Sequence, residues 1–419
     1  MTPSALEFDY GGSLLYAGVI YVATITAAGV ILASLPRVRA LIPSQAQRAG
    51  CLDGLRGVLA VGVLIHHSFT AYRFFVSGHW DWSSNALLNQ LGQSTVALFF
   101  MVTGYLFASK LLESRTRQIR WLRLYESRLR RLAPLYLLTV AAVLLSVAVL
   151  THFTRNESPA RLAREVLDWS LFVIPGRPDI NRLPMTWTVI AGVNWSLAYE
   201  WVFYACLPLL FWPLRWLSTP LRSRVCIALF CGALFRSAWH HHPIGLPRLY
   251  YDHFACGICA ALILRDSALA RVMRTTAFKA FALACLVWLL RMKSADDGLA
   301  VALTLVVFLA AAAGASLFGL LRFPPILWLG EISYGIYLVH GLALYWTLHA
   351  LTATDLLSRM DVAMYAALVA AIATSVVCLA SASFLLLERP IMSALGWGVR
   401  SASRPPVPQR PEPTAPMEP

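Results

Sequence analysis

The sequence predicts an all-α, polytopic membrane protein with about eleven transmembrane helices, a ten-helix core preceded by one extra N-terminal helix. Three observations predict it. Of 419 residues, 58% are hydrophobic and only 13% charged, whereas soluble proteins carry nearly twice that charged share; mean hydropathy is +0.63. Several apolar runs reach the roughly 20 residues that a helix needs to cross hydrocarbon. Lys and Arg collect in alternate connections, the pattern of loops held on the cytoplasmic side. The formal charge of +14 is explained by that topology, so no nucleic-acid partner is expected.

The chain opens with Glu7 and Asp9, followed by an apolar run from Ser13 to Leu35 that Arg37 and Arg39 follow. A secretory signal has the opposite charge order and a shorter core, so this is read as a retained span with the N-terminus outside. Residues 1–50 are thus an extra transmembrane helix and a cytoplasmic linker. Residues 51–391 form the transmembrane core. Residues 392–419, rich in proline and without apolar periodicity, are read as a disordered cytoplasmic tail.

Within the core, spans are expected near Leu52–Phe75, Leu91–Leu111, Leu135–Phe153, Asn194–Phe211, Val225–His240 and Tyr250–Leu264. Four more follow near Phe281–Leu290 (with an earlier start), Leu299–Leu320, Trp328–Ala350 and Val362–Leu387. Trp80 and Trp82 sit in a short outer loop as interface anchors. Pro134 is placed at the start of its span, where a helix accepts proline. Pro175, Pro178 and Pro184 break the outer stretch that follows, and Trp169–Ile174 is too short to cross. On this count the inner connections hold Lys110, the arginines from Arg115 to Arg131, Arg215, Arg222, Arg224, Arg265, Arg271, Arg274, Lys279, Arg322 and Arg389. Far fewer are outside, mainly Arg155, Arg161, Arg164, Arg177, Arg182 and Arg248. The C-terminus is then cytoplasmic.

The stretch Leu52 to Ser68, LDGLRGVLAVGVLIHHS, carries the chemistry. Most of it suits a bilayer, yet it holds Asp53, Arg56, His66 and His67, and ionisable groups at membrane depth mark function or a partner. Arg56 and His67 are eleven residues apart. At 100° and 1.5 Å per residue they share a helix face to within about 20° and lie about 16 Å apart, with His66 about 80° off that face. Asp53 either joins the chemistry or pairs with Arg56 along the helix or caps its N-terminus. Glu200 lies inside another apolar helix, where it orients a base, binds a hydroxyl, or partners an arginine such as Arg236. The eight cysteines are mostly in apolar segments. Cys256 and Cys259 form a CxxC without a second pair and are read as helix packing. His240, His241 and His242 point about 100° apart on a helix and cannot easily face one ion, so no metal site is expected.

These residues fall in an ordered set of motifs through which the chain resembles the acyltransferase-three family of integral-membrane O-acyltransferases. The match begins with LDGLRGVLAVGVLIHH, whose Arg56 and His67 carry the family's Arg, ten residues, His pattern. It continues through FFMVTGYLF (Phe99 to Phe107), RLAPLY (Arg131 to Tyr136) and NWSLAYEWVFYACLP (Asn194 to Pro208). It closes with LGEISYGIYLVH (Leu329 to His340) and LERP (Leu387 to Pro390). Where the family often has paired arginines shortly before RLAPLY, this chain reads Ser127–Arg128, with Arg130 as a replacement charge. The span Ser13–Leu35 lies outside the family's ten-helix core, and the C-terminal esterase-like domain that many relatives carry is not expected here.

The resemblance implies an enzyme of a bacterial inner membrane. It would transfer an acyl group, acetyl in the first instance, from acyl-coenzyme A to a hydroxyl of a glycan, glycolipid or related acceptor such as lipopolysaccharide. Acyl-coenzyme A would be a co-substrate reaching the site from the cytoplasm, with no tightly bound cofactor. Such a transfer needs a base for the hydroxyl proton and a cation or dipoles for the developing oxyanion. His67 is expected as general base, or as an acyl-imidazole, with Glu200 and Asp53 as further catalytic candidates. Arg56, Arg128, Arg130 and Arg131 are the donor-binding candidates, because guanidinium forks match phosphate. His66, Trp195, Ser196, Tyr334 and His340 are candidates for the acceptor site or cavity lining, with Tyr334, Tyr337 and His340 also readable as core packing. The basic cluster suits anionic lipid headgroups as well. Two rivals stand beside this reading: a transporter or flippase using Arg56, His67 and Glu200 as a polar pathway, and a non-catalytic partner in a glycan-synthesis complex.

Overall fold

The computed structural model describes residues 10–42, 51–113, 119–216, 250–294 and 297–393. The expected span at Val225–His240, the His240–His242 run, Arg236, residues 43–50 of the linker and all but the first residues of the 392–419 tail lie outside them. The described residues are helical, with no strand among them. The long helices are α1 (Tyr10–Ser34), α2 (Leu52–Ser77), α3 (Ala86–Glu113) and α4 (Trp121–Leu150). After a short α5 (Pro159–Ser170) come α6 (Trp195–Trp216), α7 (Tyr250–Ile263), α8 (Thr276–Leu289) and α9 (Gly298–Ala312). The chain then forms α10 (Pro324–Glu331), α11 (Ser333–Ala353) and α12 (Val362–Ser383).

By length and apolarity, 5 helices among the described residues are able to cross a bilayer, or up to 7 if each of two bent pairs counts as one span. One of those pairs is α10 and α11, bent by 73° about Ile332. Helices α7 and α9 are apolar but shorter. The protein is therefore a multi-pass all-α membrane protein, with fewer full-length spans among the described residues than the eleven expected. Apolar sequence runs are cut short where the backbone turns: Leu299–Leu320 ends as a helix at Ala312, before the left-handed Gly314, Leu317, Phe318 and Gly319.

A correction concerns Pro134, expected at a helix start. It lies inside α4, which runs unbroken from Trp121 through the basic segment. Proline there removes a bond to the carbonyl four residues back and crowds it. Tertiary contacts hold both halves: before the proline Tyr125 donates to the Tyr204 carbonyl (3.1 Å) and Tyr334 donates to the Leu132 carbonyl (2.7 Å), and after it Tyr136 donates to the Trp169 carbonyl (2.6 Å) and Trp346 to the Ser146 hydroxyl (2.9 Å).

Between apolar helices in lipid, association rests on close packing and interhelical hydrogen bonds, since lipid tails are as apolar as leucine. The glycines of the opening motif have this use. A Cβ on Gly54 would lie 2.0 Å from the Leu321 carbonyl oxygen, and one on Gly57 2.6 Å from that of Ile326. Facing them, a Cβ on Gly330 would lie 2.0 Å from the Asp53 oxygen. The LDGLRG and LGEISY motifs thus form one backbone-to-backbone crossing of α2 and α10. Gly104 of FFMVTGYLF and Gly257 make the same kind of crossing between α3 and α7, and Cys256 and Cys259 are buried beside it. Helix α1 buries one stripe, from Ser13 to Leu32, and leaves Leu14, Leu15, Val22 and Val30 outward. Tyr16 bonds the Ser68 hydroxyl (2.6 Å), Tyr365 donates to the Ser68 carbonyl (2.5 Å), and Tyr21 donates to the Val58 carbonyl (3.0 Å). The added helix therefore grips α2 beside His67.

Candidate active site

Helix α2 carries Arg56 near its start and His67 three turns on, both on the inward side. Arg56 opens onto a cavity of about 780 Å³ at the arginine-rich end of the bundle. All four expected donor-binding arginines line it, Arg56, Arg128, Arg130 and Arg131, together with Lys110 and Arg123. Three of the four have company. Arg130 pairs with Glu126 at 2.5 Å, and Arg128 lies over the Phe107 ring at 5.3 Å. Arg131 pairs with Glu388 at 2.8 Å, donates to the Glu331 carbonyl and lies against Tyr334 and Phe384. Arg56 has no ion pair or hydrogen bond to any described residue; Asp53, Glu331 and Glu200 act on it only through their field. A guanidinium held in an interior cavity without a direct partner is a site for an anionic ligand.

Glu200 lines the same cavity and accepts from Thr103 (3.4 Å) and Tyr204 (3.1 Å). Ser196 and Tyr334 line it too. Tyr337 joins them, its hydroxyl 2.8 Å from that of Ser196 and donating to the Val193 carbonyl (3.1 Å). The Ser333 hydroxyl is buried on the cavity wall without a hydrogen-bond partner. Asp53 lies in the first turn of α2 and is not on the lining; its carbonyl is the part pressed against Gly330.

His67 lies beyond the cavity, one aromatic layer further in. The Tyr337 ring is 6.2 Å from that of His340, and His340 stacks on His67 with centroids 5.2 Å apart. Nδ1 of His67 is 2.9 Å from Nε2 of His340, and Nδ1 of His340 is 2.9 Å from the Ile336 carbonyl oxygen. A carbonyl only accepts, so Nδ1 of His340 carries its proton. The neutral ring then has its lone pair on Nε2, which accepts from Nδ1–H of His67. What remains on His67 is a lone pair at Nε2. His340 thus selects the tautomer of His67 and fixes its ring, as a carboxylate does in a Ser-His-Asp triad.

His66 and Trp195 lie off the cavity lining, each held by neighbouring groups. His66 bonds the Leu88 carbonyl through Nδ1 (2.8 Å) and lies against Gly92, whose missing side chain makes room for the ring. Trp195 packs on Phe100 and Tyr199. Among the described residues no group of His, Cys, Asp and Glu is arranged to hold a metal. Two features were not legible beforehand. Tyr337, readable only as an aromatic in a helical run, forms the boundary between cavity and histidines. Glu388 of LERP, not singled out, is the partner of Arg131; the one signal for it was a carboxylate inside a matched motif.

A multi-pass membrane protein with an arginine-lined interior cavity leading towards a tautomer-fixed histidine pair is the class that fold and site define. The chain belongs to the acyltransferase-three family, the "Acyltransferase domain", whose sequence model matches residues 50–384. Among curated proteins it is 27% identical over 326 residues to the putative peptidoglycan O-acetyltransferase YrhL of Bacillus subtilis (strain 168), covering 69% of this chain and 47% of that one. It is 26% identical over 251 residues to acyltransferase MdmB of Streptomyces mycarofaciens, covering 54% of this chain and 59% of that protein. The chain thus spans about half the length of the curated relatives it matches. No solved structure matches it significantly.

Proposed function

We propose that this protein is an O-acyltransferase of a bacterial inner membrane, moving an acetyl or other acyl group from acyl-coenzyme A to a hydroxyl of a glycan, glycolipid or related acceptor. The observation that carries the reading is the combination of Arg56, without a direct partner in its cavity, with the Nε2 lone pair of His67 on the same helix face. The family and the O-acetyltransferase relative support the reaction class. The anionic end of the donor binds among Arg56, Arg128 and Arg130, and its arm extends past Ser196 and Tyr337 along the rise of α2, about 16 Å. Arg131, already neutralised by Glu388, braces that wall.

In the reaction Nε2 of His67 takes the acceptor hydroxyl's proton as its oxygen attacks the thioester carbonyl carbon. The C–O bond forms, the tetrahedral intermediate collapses with cleavage of the C–S bond, and the imidazolium returns the proton to the departing thiolate. His340 bears on both steps, because its Nε2 accepts more strongly from the imidazolium than from the neutral ring. With Nδ1–H of His67 engaged, Nε2 is the nitrogen that acts, and in this mechanism it acts as the base.

The test is transfer of a labelled acetyl group from acetyl-coenzyme A to a soluble saccharide by purified protein in lipid nanodiscs, with His67→Ala alongside. Transfer by the wild type and its loss in a correctly assembled variant is the expected result. Unchanged transfer in His67→Ala removes the mechanism. Movement of a glycolipid across the bilayer without acylation favours the transporter reading instead.

A further inference from the structure

On the side of His67 away from the arginine cavity, the aromatic column continues. The Trp80 ring lies 6.1 Å from that of His67, and Trp187 meets Trp80 nearly edge-on, with centroids 5.3 Å apart and planes at 77°. Two indoles at near right angles make two walls of a corner, with an imidazole beside it. Both are partly accessible, as is His67 itself, whereas Trp82 in the same loop is 59% exposed. Trp82 thus suits the interface-anchor role expected of both loop tryptophans, while Trp80 turns inward onto Phe74, His67 and Trp187.

The position of Trp187 is built at some cost. It belongs to a 3-10 turn, Thr186–Ile190, bounded by Met185 and Ala191, both left-handed with φ of 55° and 52°. Such residues cost about 1 kcal/mol or more each and persist where surrounding structure over-determines them, often at ligand clamps. The turn seats directly on the helix that supplies His340. Gly341 is the next residue, and a Cβ there would lie 2.2 Å from the Ile190 carbonyl carbon. One helical turn therefore positions both the partner of His67 and the turn bearing Trp187. Arg177 completes the corner. Its guanidinium lies over the Trp187 ring at 4.9 Å and donates to the Gly192 carbonyl (3.1 Å) through one Nη. Its remaining N–H groups have no partner among the described residues.

We infer that Trp80, Trp187 and Arg177 form the acceptor subsite, and that they take a pyranose ring. The inference rests on the O-acyltransferase reading of His67. A pyranose presents polarised C–H groups on one face and hydroxyls around its rim. The C–H face suits the negative face of an indole, and the rim hydroxyls and ring oxygens accept from guanidinium N–H groups. An apolar alcohol would gain from the rings and leave the guanidinium unused. The subsite lies on the opposite side of His67 from the donor cavity, so a sugar hydroxyl reaches Nε2 without competing with the donor for space.

The experiment measures acetyl transfer by the full chain in nanodiscs to three kinds of acceptor: methyl pyranosides, an N-acetylglucosamine disaccharide and cyclohexanol. Wild type is compared with Trp187→Ala, Trp187→Phe and Arg177→Ala, each checked by its melting temperature. Trp187→Ala is expected to raise the saccharide KM about 10-fold, with Trp187→Phe intermediate and Arg177→Ala selective for saccharides over cyclohexanol. The KM for acetyl-coenzyme A should not move in any of them. An unchanged saccharide KM in Trp187→Ala and Trp187→Phe overturns the subsite. So does transfer to cyclohexanol but to none of the sugars; both outcomes leave acyl transfer intact. No transfer to any hydroxyl, with no acceptor-independent thioester cleavage, overturns the underlying reading and the subsite with it.

Discussion

Replacing His340 by alanine isolates the contribution of the histidine pair, because that residue is outside the cavity lining yet bonded to the proposed base at 2.9 Å. In the ground state the bond joins two neutral rings, worth about 0.5–1.5 kcal/mol net. In the transition state His67 gains charge, and a bond to a charged donor is worth about 1.5–3 kcal/mol. The mutation removes both bonds, so only their difference, about 1–1.5 kcal/mol, reaches kcat, a fall of about 5- to 13-fold at about 1.36 kcal/mol per decade. That is less than the roughly 10²- to 10⁴-fold loss expected for His67→Ala, which removes the base itself. His340→Gln should recover part of the loss, since its amide oxygen is an acceptor like Nε2. The assay is steady-state acetyl transfer in nanodiscs, with KM for acetyl-coenzyme A read separately. A His340→Ala protein that assembles normally and keeps kcat within twofold of wild type would refute the tautomer argument. So would a change confined to donor KM.

Three further outcomes follow from the packing. Arg56→Ala should raise the KM for acetyl-coenzyme A by about 10- to 150-fold, the worth of a charge-assisted contact, and leave acceptor KM alone; equal donor KM values would count against the cavity as donor site. Gly57→Leu forces a side chain where even a Cβ would lie 2.6 Å from the Ile326 oxygen, and should destabilise the α2–α10 crossing by about 1–3 kcal/mol or more, read by thermal melting in detergent. Glu388→Ala removes a carboxylate that is only 1% exposed and strands the Arg131 guanidinium it pairs with, so a loss of about 3–5 kcal/mol is expected, with Glu388→Gln milder; equal melting temperatures for all three proteins would rule out the brace.

The arginine cavity changes how the motifs relate to one another. LDGLRG, RLAPLY, LGEISY and LERP are far apart in the chain, yet Gly57, Arg131, Gly330, Glu331 and Glu388 converge on one wall. Arg131 in particular was grouped with Arg128 and Arg130 by its position in a basic run. Its bond to Glu388 gives it a different part, as the tie between α4 and the end of α12. The His67–His340 pair has the same origin, since 273 residues separate its members.

Periodicity and composition by themselves determined that this chain is a helical multi-pass membrane protein, because a backbone in lipid must satisfy its own hydrogen bonds, and an apolar run of about 20 residues does so as a helix. Spacing along a single helix also placed Arg56 and His67 on a common face, since 100° per residue is a local property. Tertiary structure alone decided that His340 rather than Glu200 or Asp53 bonds the His67 ring, that Arg56 has no direct partner among the described residues, and that α4 continues through Pro134. Each of these depends on which distant group comes within about 3 Å, and hydrogen bonds act only over that range.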